Sequence, residues 1–363
     1  MRRHERTRVL GSRIEIIPMA IIRPFQNCDL PGVFEVWIRH WQAARQTPPV
    51  SVSILERALM SRNFFDPATL MVGLADGQVI AWAHWFLDES DGEVAGDESE
   101  AADTEQTPSS ATIAALCFAD EPGLAICDQL LKAVEENLRE VGVTEVRVGT
   151  VRDGYNGYAG LAPIGHGIGV PVSDARTGSL LSRSGYTVDR TIDRMVVQTS
   201  TYRPPMNRSF LQLRRSTRLD HVPVLPADSR VAAAMSHFDI ESHSLVDHQQ
   251  QQSLATCGLW MGDPEVQVME SSKAILSLTH LEAHRYDGMP VKIDPGVEMG
   301  TEACELTAEQ QFLISTLVQS LSNRQIFSVE TAVDCDDRKL QTQLKDLKFE
   351  SAEQGKQWLK SLS

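Results

Sequence analysis

The stretch over residues 111–151 holds backbone groups that could bind a phosphate. A short apolar run ends at Phe118, a turn cluster follows, and apolar residues recur at helical spacing from Leu124. A strand that enters a helix directly exposes free N–H groups and the positive end of the helix dipole, and these can hold an anion. The Pro122-Gly123 pair is also typical of an ordinary strand-to-helix turn. Both interpretations stay open.

His166 lies in a second candidate region, the glycine-rich stretch GHGIG at residues 165–169. Its spacing is not that of a dinucleotide fingerprint, and Pro163 and Pro171 flank it. We expect a loop that covers a substrate, in which His166 acts as a base. A purely structural loop is the alternative, with His166 as an ordinary surface histidine.

Other reactive side chains give weaker signals. His84 lies between Trp82 and Trp85 on an alternating strand, where a packed histidine is the favoured interpretation. Cys117 has no partner histidine and carboxylate at a recognisable spacing, so we expect no nucleophilic role. The remaining histidines show no spacing typical of metal ligands, and we predict no metal.

Periodicity predicts the elements that would position these residues. In the first half it predicts strands at residues 17–24, 69–75, 78–87, 111–118, 143–151 and 187–198, and helices at 30–44, 52–62, from 124, and 175–184. In the second half it predicts strands at 210–224, 235–245, 265–270, 273–281, 301–306 and 325–333, and helices at 248–259, 308–322 and 338–347. Placing Cys117 on Cys304 brings Leu130-Leu131 onto Leu317-Val318 without a gap, which indicates an internal duplication.

Composition and length bound the possible functions. The 363 residues suit two domains, and a formal charge of −15 argues against a nucleic-acid partner. No apolar stretch approaches the roughly 20 residues that span a membrane, so we expect no membrane partner. Six scattered cysteines without a C-x-x-C pair indicate reduced thiols in a cytoplasmic protein. We predict a disordered basic tail at residues 1–16 and a flexible acidic loop at 88–110.

Four segments of the chain resemble the GNAT superfamily of N-acetyltransferases, in its tandem form. They are IIRPFQNCDLPGVFEVW at 21–37, LMVGLADGQVIAWAHWF at 70–86, the stretch at 111–151, and LLSRSGYTVDRTIDRMVVQ at 180–198. The loop at 155–175 is similar to an elaboration in some tandem relatives. The resemblance implies an α/β protein of the α+β type, with two GNAT-like domains at 17–203 and 204–363. Each domain would be a mixed, mostly antiparallel sheet flanked by helices.

The resemblance also implies the chemistry. Family members bind acetyl-CoA as co-substrate where the fourth and fifth strands splay apart. The pyrophosphate rests on the loop before the central helix, and an amine attacks the thioester directly. The residues of this chain that match the cofactor-binding positions are Leu116, Cys117, Pro122, Gly123, Leu124, Ala125, Ile126 and Cys127. Pro122 stands where the family has a basic residue, and Ala125 and Cys127 stand where it has glycines.

The same resemblance suggests a tyrosine that protonates the leaving thiolate. The helix at 175–184 contains no tyrosine. Among Tyr155, Tyr158 and Tyr186 we select Tyr158 as the catalytic acid, with His166 as the second catalytic candidate. In the second half, residues 309–314 (EQQFLI) contain no glycine and begin with an acid. We therefore expect that half to be a degenerate copy that does not bind acetyl-CoA.

Two functions follow from these expectations. The first is an acetyl-CoA-dependent N-acetyltransferase whose N-terminal half acts on a primary amine of a small molecule or peptide, with a homodimer left open. The alternative is a non-catalytic, degenerate GNAT pair that serves as a ligand-binding or scaffold protein.

Overall fold

A computed structural model describes residues 21–49, 51–88, 110–119, 121–152, 157–293 and 305–362. The predicted basic tail at 1–16 and nearly all of the predicted acidic loop at 88–110 lie outside these ranges. Within them the chain forms a mixed, mostly antiparallel sheet of fifteen strands with helices on its faces. The predicted fold class is confirmed. No helix of the described part is long and apolar enough to cross a membrane.

The first half of the chain supplies seven strands and four helices. The strands are β1 Ile21–Pro24, β2 Leu70–Ala75, β3 Gln78–Leu87, β4 Ser110–Phe118, β5 Glu145–Val148, β6 Val170–Pro171 and β7 Thr187–Gln198. The helices are α1 Leu30–Ala43, α2 Val52–Leu55, α3 Glu121–Glu140 and α4 Ala175–Arg183. Helix α1 forms because its apolar residues recur at helical spacing, and it buries that face against the sheet.

The second half supplies eight strands and four helices. The strands are β8 Thr217–Pro226, β9 Phe238–Asp247, β10 Ser253–Gly262, β11 Lys273–Ser277, β12 Leu281–Arg285, β13 Pro290–Ile293, β14 Ser328–Asp334 and β15 Glu350–Ser361. The helices are α5 Arg208–Ser216, α6 Ser229–Ala234, α7 Ala308–Leu321 and α8 Arg338–Asp346.

The two halves exchange strands at the centre of the sheet. The order is β1-β2-β3-β4-β5-β15-β7-β14-β11-β10-β9-β8-β12-β13. Strand β15, the last of the second half, therefore lies between β5 and β7 of the first half, and β7 lies between β15 and β14. The sheet is continuous across the predicted domain boundary at 203/204. That boundary, which separates two stretches of sequence, stays a prediction.

Several predictions for the second half are wrong. Residues 248–259 were expected to be helical, but Asp247 accepts bonds from Gln249 N and Gln250 N in a tight turn, after which β10 begins. Residues 210–224 begin as a helix because Asn207 caps α5 by accepting from Phe210 N. Residues 265–270 form no strand.

The strand predicted at residues 301–306 lies mostly outside the described part. Residues 305 and 306 are not extended in the sheet, and residues 301–304 lie outside the described part. Strand β11 occupies this place instead, since it pairs in parallel with β14 as β4 does with β5. The hairpin β12–β13 then separates β11 from α7. The helices still correspond, because Leu130 and Leu317 each lie nine residues after the start of their helix.

Candidate functional site

Strands β4 and β5 part in the middle of the first half. They pair from Ser110/Glu145 to Ile113/Val148, after which β5 ends and β4 continues to Phe118. The register of β4 against β3 shifts between Ile113 and Ala115, so β4 carries a bulge at this point. The bulge opens the edge of β4 that carries Leu116 and Cys117, the two strand positions that the resemblance assigns to cofactor binding.

The bulged strand turns alternate backbone groups towards its free edge. Ala119 N donates to Ile80 O of β3, whereas Phe118 N points away from β3. By the alternation of an antiparallel ladder, Leu116 turns its amide to the same free edge as Phe118, and Cys117 turns its amide to β3. Of the two predicted strand residues, Leu116 can thus offer an edge amide and Cys117 cannot. Burial raises the pKa of the Cys117 thiol well above its usual value.

The amide at the end of this edge already has a partner. Phe118 N donates to His40 Nδ1 of α1 at 3.3 Å, and His40 Nε2 lies 3.0 Å from Asp174 Oδ2. Both side chains are buried. Burial acts to raise the pKa of Asp174, but its contacts with His40 and Thr177 outweigh this and hold the pKa below its usual value. No local sequence pattern indicated that these two residues would meet.

The start of α3 is packed closely on the sheet. A Cβ added to Gly123 would lie 2.5 Å from Ile80 O and 3.2 Å from Phe118 Cβ, so only glycine fits there. Ile126 and Cys127 are buried in the core, Leu124 is half-buried and Ala125 is exposed. Pro122 has no N–H, and nothing is described of its side chain. In the predicted phosphate loop, the groups that could bind a phosphate are therefore the backbone amides after Pro122. They lie beside the acidic Glu121.

A cavity of about 460 Å³ lies next to this helix start. Its walls include Gly32, Val36 and Arg39 of α1, the turn before β3, Ala119 and Gly123. The cavity therefore begins at the residue that follows Phe118.

Tyr158 is fully buried in an aromatic cluster. Its Oη lies 2.9 Å from His84 Nδ1, and its ring stacks on Trp37 with centroids 6.5 Å apart. Burial raises the pKa of Tyr158 well above its usual value and lowers the pKa of His84 to about 3, so both stay uncharged near neutral pH. The expectation that His84 is a packed histidine agrees with this geometry.

His166 belongs to a charged network between the two halves. Its Nδ1 lies 3.2 Å from Glu330 Oε1, and Arg194 Nη1 lies 3.3 Å from its ring. Arg152 Nη2 also reaches Glu330, at 2.9 Å, while its Nε and Nη1 are buried without a hydrogen-bond partner. Burial acts to raise the pKa of Glu330, but His166, Arg152 and Arg194 hold it well below its usual value.

The two predicted catalytic residues therefore lie in separate networks. Tyr158 contacts His84 in the aromatic cluster, whereas His166 contacts Glu330 and Arg194. The third phenol, Tyr186, donates to Glu135 Oε1 at 3.0 Å inside the core, and Tyr155 lies outside the described residues. Sequence reasoning missed His40, Asp174, Arg152, Arg194 and Glu330.

The second half closes the corresponding helix start. Thr307 Oγ1 accepts from Gln310 N, and Gln310 Oε1 accepts from Thr307 N, which forms a capping box. Glu309 places a negative charge in the first turn. Two backbone amides at this helix start, those of Thr307 and Gln310, are thus satisfied by side chains. Within the described residues, no group of three or more His, Cys, Asp or Glu could hold a metal ion.

Comparisons with known proteins agree with this architecture. No protein-family model matches the sequence, and no curated protein matches it. Among solved structures, a tandem GNAT protein from the clavulanic acid biosynthesis pathway, solved without acetyl-CoA, aligns at 10% identity and a TM-score of 0.58, over 95% of this chain and 99% of that one. A GCN5-related N-acetyltransferase from Sphaerobacter thermophilus aligns at 12% identity and a TM-score of 0.56, over 94% and 96%.

A third alignment involves a GCN5-related glucosamine N-acetyltransferase region of a fungal multi-domain β-N-acetylglucosaminidase. It covers 94% of this chain and 38% of that one, at 10% identity and a TM-score of 0.61. At these identities the alignments speak for the fold, and they confirm the resemblance at that level. The chain has the fold of the GNAT N-acetyltransferases, in its tandem arrangement.

Proposed function

We propose that the protein is an acetyl-CoA-dependent N-acetyltransferase that acts through its first half. The observation that carries the proposal is the free edge of β4. Beyond the Ile113/Val148 pair this edge is bulged, and it presents the amide of Leu116. An edge amide of this kind can bond an extended amide-containing chain such as pantetheine. The second half offers no comparable helix start, because Thr307 and Gln310 cap it.

The reaction would be a direct transfer. The nitrogen of a primary amine attacks the thioester carbonyl, the C–S bond breaks, the acetyl group moves to nitrogen, and the thiolate leaves. The ammonium proton passes to a base and the thiolate takes a proton from an acid. Tyr158 is our candidate for the acid, and its raised pKa keeps the phenol protonated near neutral pH. His166 is our candidate for the base.

The alternative function is a non-catalytic GNAT pair that binds a ligand or acts as a scaffold. It is favoured by the bond between Phe118 N and His40, which occupies part of the donor edge. It is also favoured by Gly123, whose place in the fold is explained by its contact with Ile80 without any phosphate.

Calorimetric titration with acetyl-CoA and CoA tests the proposal, because it measures the affinity for each ligand. Bound ligand should also stabilise the fold: at a hundredfold excess over its Kd, it should raise the free energy of unfolding by about 2.7 kcal/mol. Leu116→Ala and Leu116→Pro form a matched pair, since both shorten the side chain and only proline removes the edge amide. We expect Leu116→Pro to bind at least about tenfold more weakly than Leu116→Ala. Absence of binding at millimolar CoA both in the wild type and in His40→Ala, which frees the Phe118 amide, would overturn the proposal.

The acid role of Tyr158 has its own test. Tyr158→Phe should lower kcat at least about a hundredfold with little change in KM, because a positioned acid acts only in the transition state. Tyr186→Phe is the matched control, since it too loses a buried phenolic bond, to Glu135. Equal losses of kcat in the two variants would show that Tyr158 has a structural role in the core and is not the catalytic acid.

A further inference from the structure

Three side chains from two helices of the first half come together near the last residue of β4. His40 comes from α1, Asp174 caps the start of α4, and Arg176 follows one residue into α4. The His40 and Phe118 rings meet edge to face with centroids 4.9 Å apart. The Arg176 guanidinium lies over the Phe118 ring, 4.8 Å from its centroid, and Arg176 Nη2 donates to His40 O at 3.3 Å. The end of the donor edge is therefore tied to both flanking helices.

The hydrogen bonds set the state of the His40 ring. Because Phe118 N–H donates to Nδ1, that nitrogen holds a lone pair, and the ring proton belongs on Nε2. Nε2 faces the Asp174 carboxylate at 3.0 Å. The Asp174 side chain is itself held, because Oδ1 accepts from Thr177 N. His40 is thus held from both sides in the orientation that occupies the Phe118 amide.

This contact competes with the proposed ligand for one hydrogen-bond donor. The amides of Leu116 and Phe118 face the same free edge of β4, so a chain that adds along this edge would bond to both. His40 already takes the second. We propose that His40, held by Asp174, is a built-in stopper of the donor cleft, and that an acyl-CoA binds fully only after the imidazole leaves the Phe118 amide. This inference rests on the proposed function.

A cavity of about 460 Å³ lies near this contact. It begins at Ala119, the residue after Phe118, and is lined by Val36, one helical turn before His40, and by the exposed Arg39. A side-chain rotation of His40 towards this cavity would free the amide while α1 stays on the sheet. Asp174 then keeps its cap on α4 through Thr177.

The test measures the affinity for CoA and acetyl-CoA by calorimetry in four proteins: wild type, His40→Ala, Asp174→Asn and His237→Ala. His40→Ala removes the stopper, and we expect it to bind about tenfold more tightly than wild type. Asp174→Asn keeps an oxygen for Thr177 N and loses the charge that holds His40, so we expect a gain of about two- to fivefold. His237 is an equally buried histidine that contacts Ala159 O, away from β4, and its variant should bind as wild type does.

Hydrogen exchange of the peptide that contains Phe118 gives a second readout. Its amide should exchange faster in His40→Ala than in wild type, and CoA should slow it again. If wild type binds and His40→Ala binds no more tightly, the stopper is overturned and the proposed function stands. If neither wild type nor the two cleft variants bind at millimolar CoA, both proposals fall. Binding by His40→Ala alone would support the stopper and show that wild type is held closed.

Discussion

Helices α3 and α7 occupy the same place in the two halves, and they begin in different ways. At the second helical position after the start, the first half has Gly123 and the second half has Gln310. Gly123 lets α3 lie against Ile80 O, because a Cβ at this position would meet that oxygen at 2.5 Å. Gln310 instead closes such a box with Thr307. One helix start is shaped by close backbone packing and the other by side-chain hydrogen bonds.

The strands beside these two helices also differ between the halves. The last parallel pair is Ile113/Val148 in the first half and Ile275/Glu330 in the second. Val148 is an ordinary core residue, whereas Glu330 gathers His166, Arg152 and Arg194 of the first half. In the second half, the place where the strands part therefore holds a charged network of Glu330 with His166, Arg152 and Arg194, which links the two halves. We call this network the charged joint.

Glu330→Gln should have the largest effect of the changes considered. It leaves the buried Arg152 and the half-buried Arg194 without their carboxylate, and breaking a buried pair costs about 3–5 kcal/mol. Because the pKa of Glu330 is lowered in the fold, its contribution is present above the unfolded value of about 4.3 and is lost as pH falls below it. Urea unfolding at pH 7 and pH 3.5 should show the difference shrinking at the lower pH.

The control for that variant is Glu241→Gln. Glu241 also pairs with an arginine, Arg324 at 2.8 Å, but that arginine is partly exposed. Solvent screens such a pair, so we expect a loss of about 1 kcal/mol or less. Similar losses in both variants would contradict a special role for the charged joint.

Gly123→Ala should come next. The added Cβ would meet Ile80 O at 2.5 Å, which forces α3 away from β3 and costs about 1–3 kcal/mol. Gly178→Ala in α4 is the matched control, because its Cβ would meet only a Trp358 ring atom at 3.6 Å. That change should stabilise the helix by about 0.5–1 kcal/mol. Opposite signs in denaturant unfolding would support the packing role of Gly123, and equal signs would refute it.

One buried neutral histidine in each half should make stability depend on pH. Burial lowers the pKa of His84 to about 3 and that of His237 to about 4, below the unfolded value of about 6.5. The unfolded chain then binds more protons between these values, so the free energy of unfolding falls as pH drops below about 6.5. His84→Gln should reduce this slope by about 1 kcal/mol per pH unit between pH 6 and 5. Urea titrations at several pH values measure it, and an unchanged slope would refute the assignment.

Sequence patterns predicted the first half well because its elements are locally determined. The helix expected at 30–44 and the strands at 78–87 and 187–198 match α1, β3 and β7 to within a residue. Helical spacing and alternation were clear in each case. The strand β15 was not predicted, since its first residues are polar and its neighbours β5 and β7 come from the other half. Its pairing is a tertiary effect that no local pattern encodes.

The candidate site was less predictable for the same reason. Leu116 and Gly123 could be found from the strand and the turn that contain them. His40 looked like one more residue of an apolar helix face, and Asp174 like a helix cap. Their meeting at Phe118 depends on how α1 and α4 pack on the strand. Glu330 likewise acquires its partners only when the two halves share one sheet.

Thr307→Ala should give the smallest effect and sharpens the comparison of the two helix starts. It removes one side of the capping box of α7, and the loss of such a cap costs about 1 kcal/mol. The variant also frees the amide of Gln310 from its side-chain partner. Because Glu309 remains in the first turn, we expect CoA binding to stay unchanged while the midpoint of urea unfolding falls. A gain in CoA binding would show that the cap alone keeps the second half from acting as a donor site.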